Sequence, residues 1–264
     1  MVDWHAWWTA LPLLLALGVA TWLVSLPLRN VSIVDSVWSL LIAAAGVSYA
    51  LQTGDMALRA WLVLGLLGAW ALRLSVYITV RNLGQGEDRR YQAIRARNQP
   101  HFELKSLHLV FGLQAVLAWI VSLPLLAAIR DATQLSALDV AGLLLALGGL
   151  LWESVGDAQL ACFKADERNR GLVMDRGLWR YSRHPNYFGE CCVWWGFGLV
   201  ALSVGAWWAL ASPLLMTLLL LKVSGVGLLE KDIGERRPAY RDYVAGTNAF
   251  FPWRPRARHE VPRA

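Results

Sequence analysis

Residues 177–190 read GLWRYSRHPNYFGE and gather Arg180, Arg183 and His184 with Tyr181, Asn186 and Tyr187. They stand at the mouth of a long apolar stretch that contains Glu190. An unpaired carboxylate there costs a few kcal/mol. Pro185 suits the first turn of a helix, because its missing N–H would have no partner in that turn. Such a helix start directs free N–H donors and partial positive charge at the loop before it. These residue types at this spacing suit an anion held at a membrane surface.

Other ionisable residues also fall inside apolar stretches. Asp35 lies in NVSIVDSVWSL with Trp38 on the same helical face, and Arg73 is followed four residues later by Tyr77. Glu153 and Asp157 are four apart with Gln159 following, and Glu190 stands four before Trp194. Lys222 and Glu230 share roughly one face. Arg73 or Lys222 paired with Asp157 or Glu190 would serve as structural glue. These charges from five stretches, all at one depth, point instead to a polar cavity open to the cytosol. The segment GQGEDRRYQAIR adds Asp88, Arg90 and Tyr91, although a charge run in a loop is ordinarily a solvated face. Its G-x-G lacks the strand–turn–helix setting of a dinucleotide fold. The tail EKDIGERRPAYRDYVAGTNAFFPW, with Tyr240 and Tyr243, reads as an interfacial amphipathic helix.

The elements that must position these side chains are membrane helices. Of 264 residues 56% are hydrophobic and 17% charged, with 15 Trp, which excludes an ordinary soluble domain. Seven stretches are long and apolar enough to cross a bilayer, near 7–28, 31–51, 57–80, 107–129, 138–160, 187–206 and 208–230. The expected fold is therefore all-α, a polytopic protein with seven transmembrane helices forming one integral membrane domain over 1–264. The first stretch is too long for a cleaved signal peptide and lacks its basic flank. Polar loops of roughly 25 residues are too short for a core of their own. Basic residues cluster at 81–105, at 164–183 and in the tail, so the N-terminus is expected outside and the C-terminus in the cytoplasm. Cys162, Cys191 and Cys192 suggest neither a disulfide framework nor zinc, and no metal is expected. The net charge of +6 lies at membrane loops and needs no nucleic-acid partner.

The block GLWRYSRHPNYFGE, the preceding GDAQLACFKAD and NRG, and Tyr240 and Tyr243 with FFPW together resemble the steroid 5α-reductase family, in particular its bacterial branch. The resemblance covers nearly the whole chain and is strongest from Gly156 to Trp195. Isoprenylcysteine carboxyl methyltransferases carry a similar RHPxYxGE block and bind S-adenosylmethionine, so the block alone does not choose between hydride and methyl transfer. The layout of seven stretches with an acid on the second is similar to the reductases. NADPH also calls for more Arg and Lys contacts to its phosphates than S-adenosylmethionine does. Arg89, Arg90, Lys164, Arg168, Arg180 and Arg183 fit that need.

By position, the resemblance implies an NADPH site carried mainly by 81–106 and 153–253. Asn186 and Glu190 match the family's nicotinamide contacts, Asp157 its fifth-span Asp, and Trp194 its following Trp. Lys164 and Lys222 stand for arginines and Glu230 for a tyrosine. Arg73, Asp88, Arg90, Tyr91, Arg168, Arg180, Tyr181, Arg183, His184, Tyr187, Tyr240 and Tyr243 complete the expected cofactor contacts. Asp35 takes the place of the catalytic Glu, with Trp38 and Trp70 beside the substrate. Trp70 replaces the family's partner Tyr, so Tyr77 or Tyr91 substitutes, or Asp35 acts alone. The implied reaction is reduction of an enone, with hydride attack at the β-carbon while an acid polarises the carbonyl. Desolvation would make a carboxyl in an apolar span a proton donor. The expected substrate is a lipophilic molecule that arrives from the bilayer, such as a 3-oxo-Δ4 steroid. The expected location is a bacterial inner membrane, with membrane lipids as neighbours and the cofactor site facing the cytoplasm. A transporter or scaffold would bind neither cofactor and would line a path across the membrane with these charges.

Overall fold

An apolar stretch in lipid finds no water for its backbone, so it closes its own N–H and C=O groups as a helix. The computed structural model describes residues 3–223 and 239–256, and all regular structure among them is helical. The helices are α1 (Trp4–Leu28), α2 (Ile33–Leu51), α3 (Leu58–Asn82), α4 (Arg89–Arg97) and α5 (Phe102–Val121). They continue with α6 (Leu123–Arg130), α7 (Ala137–Ala165), α8 (Pro185–Ser203), α9 (Trp207–Lys222) and α10 (Ala239–Gly246). Five of them, α1, α2, α3, α5 and α7, are long and apolar enough to cross a membrane.

The boundaries follow local chemistry. Helix α1 begins at Trp4 because the Asp3 carboxylate caps it, accepting from Ala6 N at 3.1 Å. The expected stretch at 107–129 instead starts at Phe102 and breaks after Val121. Pro124 there has no N–H to continue the ladder, and the Ser122 hydroxyl bonds back to Trp119 O at 2.7 Å. Helix α8 carries Asn186, Tyr187 and Glu190 in its first two turns and is less apolar than the five. Helix α9 is shorter, and residues 224–230 of the expected seventh stretch lie outside the described residues.

The chain divides into two compact units. One comprises Met1–Leu143 and Phe197–Ser212, the other Leu144–Gly196 and Pro213–Ala264. In the first unit, small residues let helices approach: Ala6, Ala10, Leu14 and Gly18 form one buried face of α1. Buried polar groups are paired across helices, Ser39 Oγ to Ala71 O at 2.8 Å and Tyr49 Oη with Ser122 Oγ at 2.6 Å. Arg59, only 1% exposed, donates to both oxygens of the fully buried Asp139, at 2.7 and 3.2 Å, and to Asp131 at 2.8 Å. Ser203 Oγ donates to the same Asp139 at 2.5 Å. Trp7 and Trp119 stack at 3.7 Å, and each indole N–H donates to the other's carbonyl oxygen.

In the second unit, α7 and α8 cross at two glycines. A Cβ on Gly149 would lie 2.6 Å from Gly189 O, and a Cβ on Gly189 would lie 2.6 Å from Glu153 N. This backbone contact sets Glu153 and Asp157 of α7 beside the start of α8. The chain then folds residues 239–256 over the loop before α8. Arg183 N donates to Asn248 O at 2.9 Å, Ser182 Oγ to Phe250 O at 2.8 Å, and Trp253 N to Tyr181 O at 3.0 Å.

Candidate functional site

Two clusters hold the residues of interest, one in each unit. In the first, Asp35 sits in the opening turn of α2, and the segment after α3 returns to it. That segment turns at Gly84 and Gly86, both at φ values reserved for glycine, +73° and +72°. Asp88 then caps α4, accepting from Arg90 N at 2.8 Å, while its own N–H donates to Ser32 Oγ at 2.7 Å. Glu87 accepts from Val31 N at 3.0 Å and takes a two-pronged bond from Arg95 at 2.9 Å on each oxygen. Both joints tie α4 to the α1–α2 turn.

The consequence is a compact acid site. Tyr91 buries its ring among Val31, Val34, Phe102, Val110 and Phe111, and its hydroxyl donates to Asp35 Oδ1 at 2.6 Å. Arg90 Nη2 donates to the other oxygen, Oδ2, at 2.7 Å, and Arg90 Nε donates to Asp88 at 2.9 Å. Both Asp35 oxygens therefore act as acceptors, one for the phenol and one for the guanidinium. Burial pushes the Tyr91 hydroxyl well above the usual phenol range, and the adjacent Asp35 adds to the shift. Burial works against the charge on Arg90, but the Asp35 and Asp88 carboxylates overcome it and keep the guanidinium protonated. Gln114 of α5 also bonds the Tyr91 side chain. The expected substrate residues Trp38 and Trp70, the candidate donor Tyr77 and the expected cofactor contact Arg73 lie on α2 and α3. Trp38, Arg73 and Tyr77 are half-buried, and Trp70 is fully buried. Arg81 lies over the Tyr77 ring at 5.8 Å.

The second cluster surrounds the start of α8. Asn186 Nδ2 donates to Asp157 Oδ1 at 3.1 Å. The Asn186 Oδ1 is buried and has no hydrogen-bond partner among the described residues. Asp157, His184, Glu190 and Trp194 are all buried. The His184 and Tyr187 rings stack at 5.5 Å with 3° between their planes. Arg183 donates to the Val244 and Thr247 carbonyls, and the Tyr243 hydroxyl to those of Trp179 and Ser182, so both hold the tail to the loop. Tyr240 is buried edge-on against Tyr243 at 5.5 Å. Lys164, Arg168, Arg180, Tyr181 and Lys222 are exposed, and Arg168 pairs with Asp166 at 2.8 Å. Glu230 lies outside the described residues.

Over residues 21–247 the sequence matches the family described as Protein of unknown function (DUF1295). The chain belongs to this family. No curated protein and no solved structure matches it. The matched span includes both clusters, so the acid site and the Asn186 block are parts of one DUF1295 chain. Its sequence alone gave little reason to single out Ser32, Glu87 and Gln114, which brace Tyr91 and α4. Glu87 sat within the loop's charge run, and Ser32 and Gln114 had no distinguishing spacing. Gln159 accepts from Leu178 N at 2.9 Å, and Gly177, at φ +57°, leaves no room for a Cβ beside it. Among the described residues no group of three His, Cys, Asp or Glu side chains is placed to hold a metal ion.

Proposed function

We propose that this protein reduces the carbon–carbon double bond of a lipophilic enone with NADPH, a 3-oxo-Δ4 steroid being the first candidate substrate. In this reading the chain spans a bacterial inner membrane seven times, with its N-terminus outside, its C-terminus in the cytoplasm and its cofactor residues on the cytoplasmic side. The observation that carries the reading is the Tyr91 hydroxyl on Asp35, braced by Arg90. A phenol held protonated beside a carboxylate and a guanidinium suits the polarisation of a carbonyl oxygen. Methyl transfer from S-adenosylmethionine has no evident use for that trio.

NADPH, when bound, supplies a hydride to the β-carbon of the enone. Tyr91 then gives its proton to the carbonyl oxygen, on which negative charge develops. Asp35 orients the hydroxyl, and Arg90 offsets the charge left on the phenol oxygen once the proton has moved. The residues of the second cluster suit the cofactor. The unpartnered Asn186 Oδ1 can accept from a carboxamide N–H, which the nicotinamide carries. The exposed cations Lys164, Arg170, Arg176 and Arg180 suit its phosphates.

Thermal unfolding of the purified protein with NADPH, NADH or S-adenosylmethionine tests this assignment. Ligand at about a hundred times its Kd should add about 2.7 kcal/mol of stability. Stabilisation by NADPH supports the reductase, whereas stabilisation by S-adenosylmethionine alone replaces it with the methyltransferase.

A further inference from the structure

A cavity of about 340 Å3 opens in the first unit, away from Asp35, with Ser25, Arg29, Arg95, Glu103 and Ser106 in its wall. Its depth follows from α1, which is apolar through Leu28 and meets its first basic residue at Arg29. The cavity therefore lies where hydrocarbon gives way to headgroups. Leu23, Val24 and Leu28, in the last two turns of α1, each expose more than half of their surface, as acyl-chain contacts would.

The charges in the wall are specific in kind. Arg29 makes no side-chain hydrogen bond or ion pair among the described residues, and its backbone holds a left-handed conformation, φ 48°. Arg95 is matched twice, by Glu87 at 2.9 Å and by Glu103 at 3.1 Å. Glu87 lies outside the wall with both oxygens taken by Arg95, so the carboxylate of the wall is Glu103, whose side chain is 59% exposed. The hydroxyls of Ser25 and Ser106 donate to Trp22 O and Glu103 O at 2.7 and 2.8 Å, and both residues are buried, so they shape the floor without serving as contacts. The carbonyl end of α1 adds to the negative side. The wall thus offers one unmatched cation at Arg29 and one exposed carboxylate at Glu103, a pair that suits a zwitterion with an N–H donor cation.

We propose that this cavity binds the headgroup of an aminophospholipid, with its phosphodiester on Arg29 and its primary ammonium on Glu103. A choline headgroup has no N–H to donate, and a glycerol headgroup has no cation. The site should therefore rank ethanolamine above both.

The test is thermal unfolding of the detergent-purified full chain, titrated with short-chain phosphatidylethanolamine, phosphatidylcholine, phosphatidylglycerol or free phosphoethanolamine. The ethanolamine lipid should raise the midpoint at the lowest concentration. Arg29→Gly, which keeps the left-handed turn, should weaken every phospholipid by roughly tenfold. Glu103→Gln should remove the preference for ethanolamine over choline while leaving the choline response unchanged. Equal responses to all three lipids in the wild type, or unchanged responses in both variants, would overturn the proposal. A response to free phosphoethanolamine equal to that of the lipid would assign the site to a soluble aminophosphate and overturn the lipid assignment.

Discussion

The Tyr91 hydroxyl lies 2.6 Å from an Asp35 oxygen, although 56 positions separate the two residues in the chain. The contact needs two supports. The Tyr91 ring is packed into an apolar cluster, and α4 is pinned to the α1–α2 turn by Ser32, Asp88 and Glu87. A tyrosine on a charged loop becomes the partner of a carboxylate on an apolar helix by this route. Arg90 completes it from the same short helix.

Tyr91→Phe should keep the ring packing and lose only the proton donor. Turnover should fall on the order of a hundredfold to ten-thousandfold with NADPH affinity unchanged. Tyr77→Phe, tested alongside, should cost little. Steady-state kinetics and an NADPH titration on both variants check this.

The ties of α4 make stability depend on pH at the acid end. Burial raises the Glu87 and Asp88 carboxyls, but the bonds and charges of Arg95 and Arg90 outweigh it and hold both below the ordinary range. Their stabilisation is full above the ordinary carboxylate value of about 4 and is lost as pH falls through the lower folded values. Unfolding midpoints measured from neutral to acid pH should drop there, and Glu87→Gln with Asp88→Asn should flatten the drop. Tyr91 is shifted the other way, so its contribution is full below the ordinary phenol value of about 10 and fades above it.

Two neighbouring glycines of α7 should behave oppositely. Gly149→Ala places a Cβ 2.6 Å from Gly189 O, so it should cost about 1–3 kcal/mol or more. A Cβ on Gly148 meets nothing within 4 Å, so Gly148→Ala should be neutral or gain up to about 1 kcal/mol of helix propensity. Denaturant unfolding in detergent separates the two.

The buried Arg59 should be intolerant of removal. Arg59→Met strands Asp139 without its guanidinium and should cost about 3–5 kcal/mol. The unfolding midpoint reads the loss, and NADPH binding by the protein that remains folded should be unaffected.

Much of the frame was legible because apolar length is a strong signal. The first three helices fall within a few residues of the stretches read from hydrophobicity, and α7 lies close to the stretch at 138–160. The break at Ser122 was written in Pro124 but was masked by continuous apolar character on both sides. Asp35 stood out as a charge where lipid should be. Tyr91 was legible only as one of two substitutes for a missing tyrosine, because its approach depends on turns at Gly84 and Gly86 that no periodicity reveals. Arg59 drew no attention, since a basic residue at the start of an apolar stretch ordinarily reaches headgroups. Its partners, Asp131 and Asp139, lie 72 and 80 positions away. The family resemblance places Arg183 and Tyr243 among the cofactor contacts. Their bonds to backbone carbonyls follow from the fold of 239–256 onto the loop, which side-chain chemistry alone does not specify.

The most direct measurement is NADPH oxidation by purified protein with and without a 3-oxo-Δ4 steroid, in the wild type and in Asp35→Asn. The account predicts steroid-dependent oxidation in the wild type and its loss in Asp35→Asn, with NADPH still bound by the variant. Full activity in Asp35→Asn, or no oxidation with any lipophilic enone offered, would contradict it.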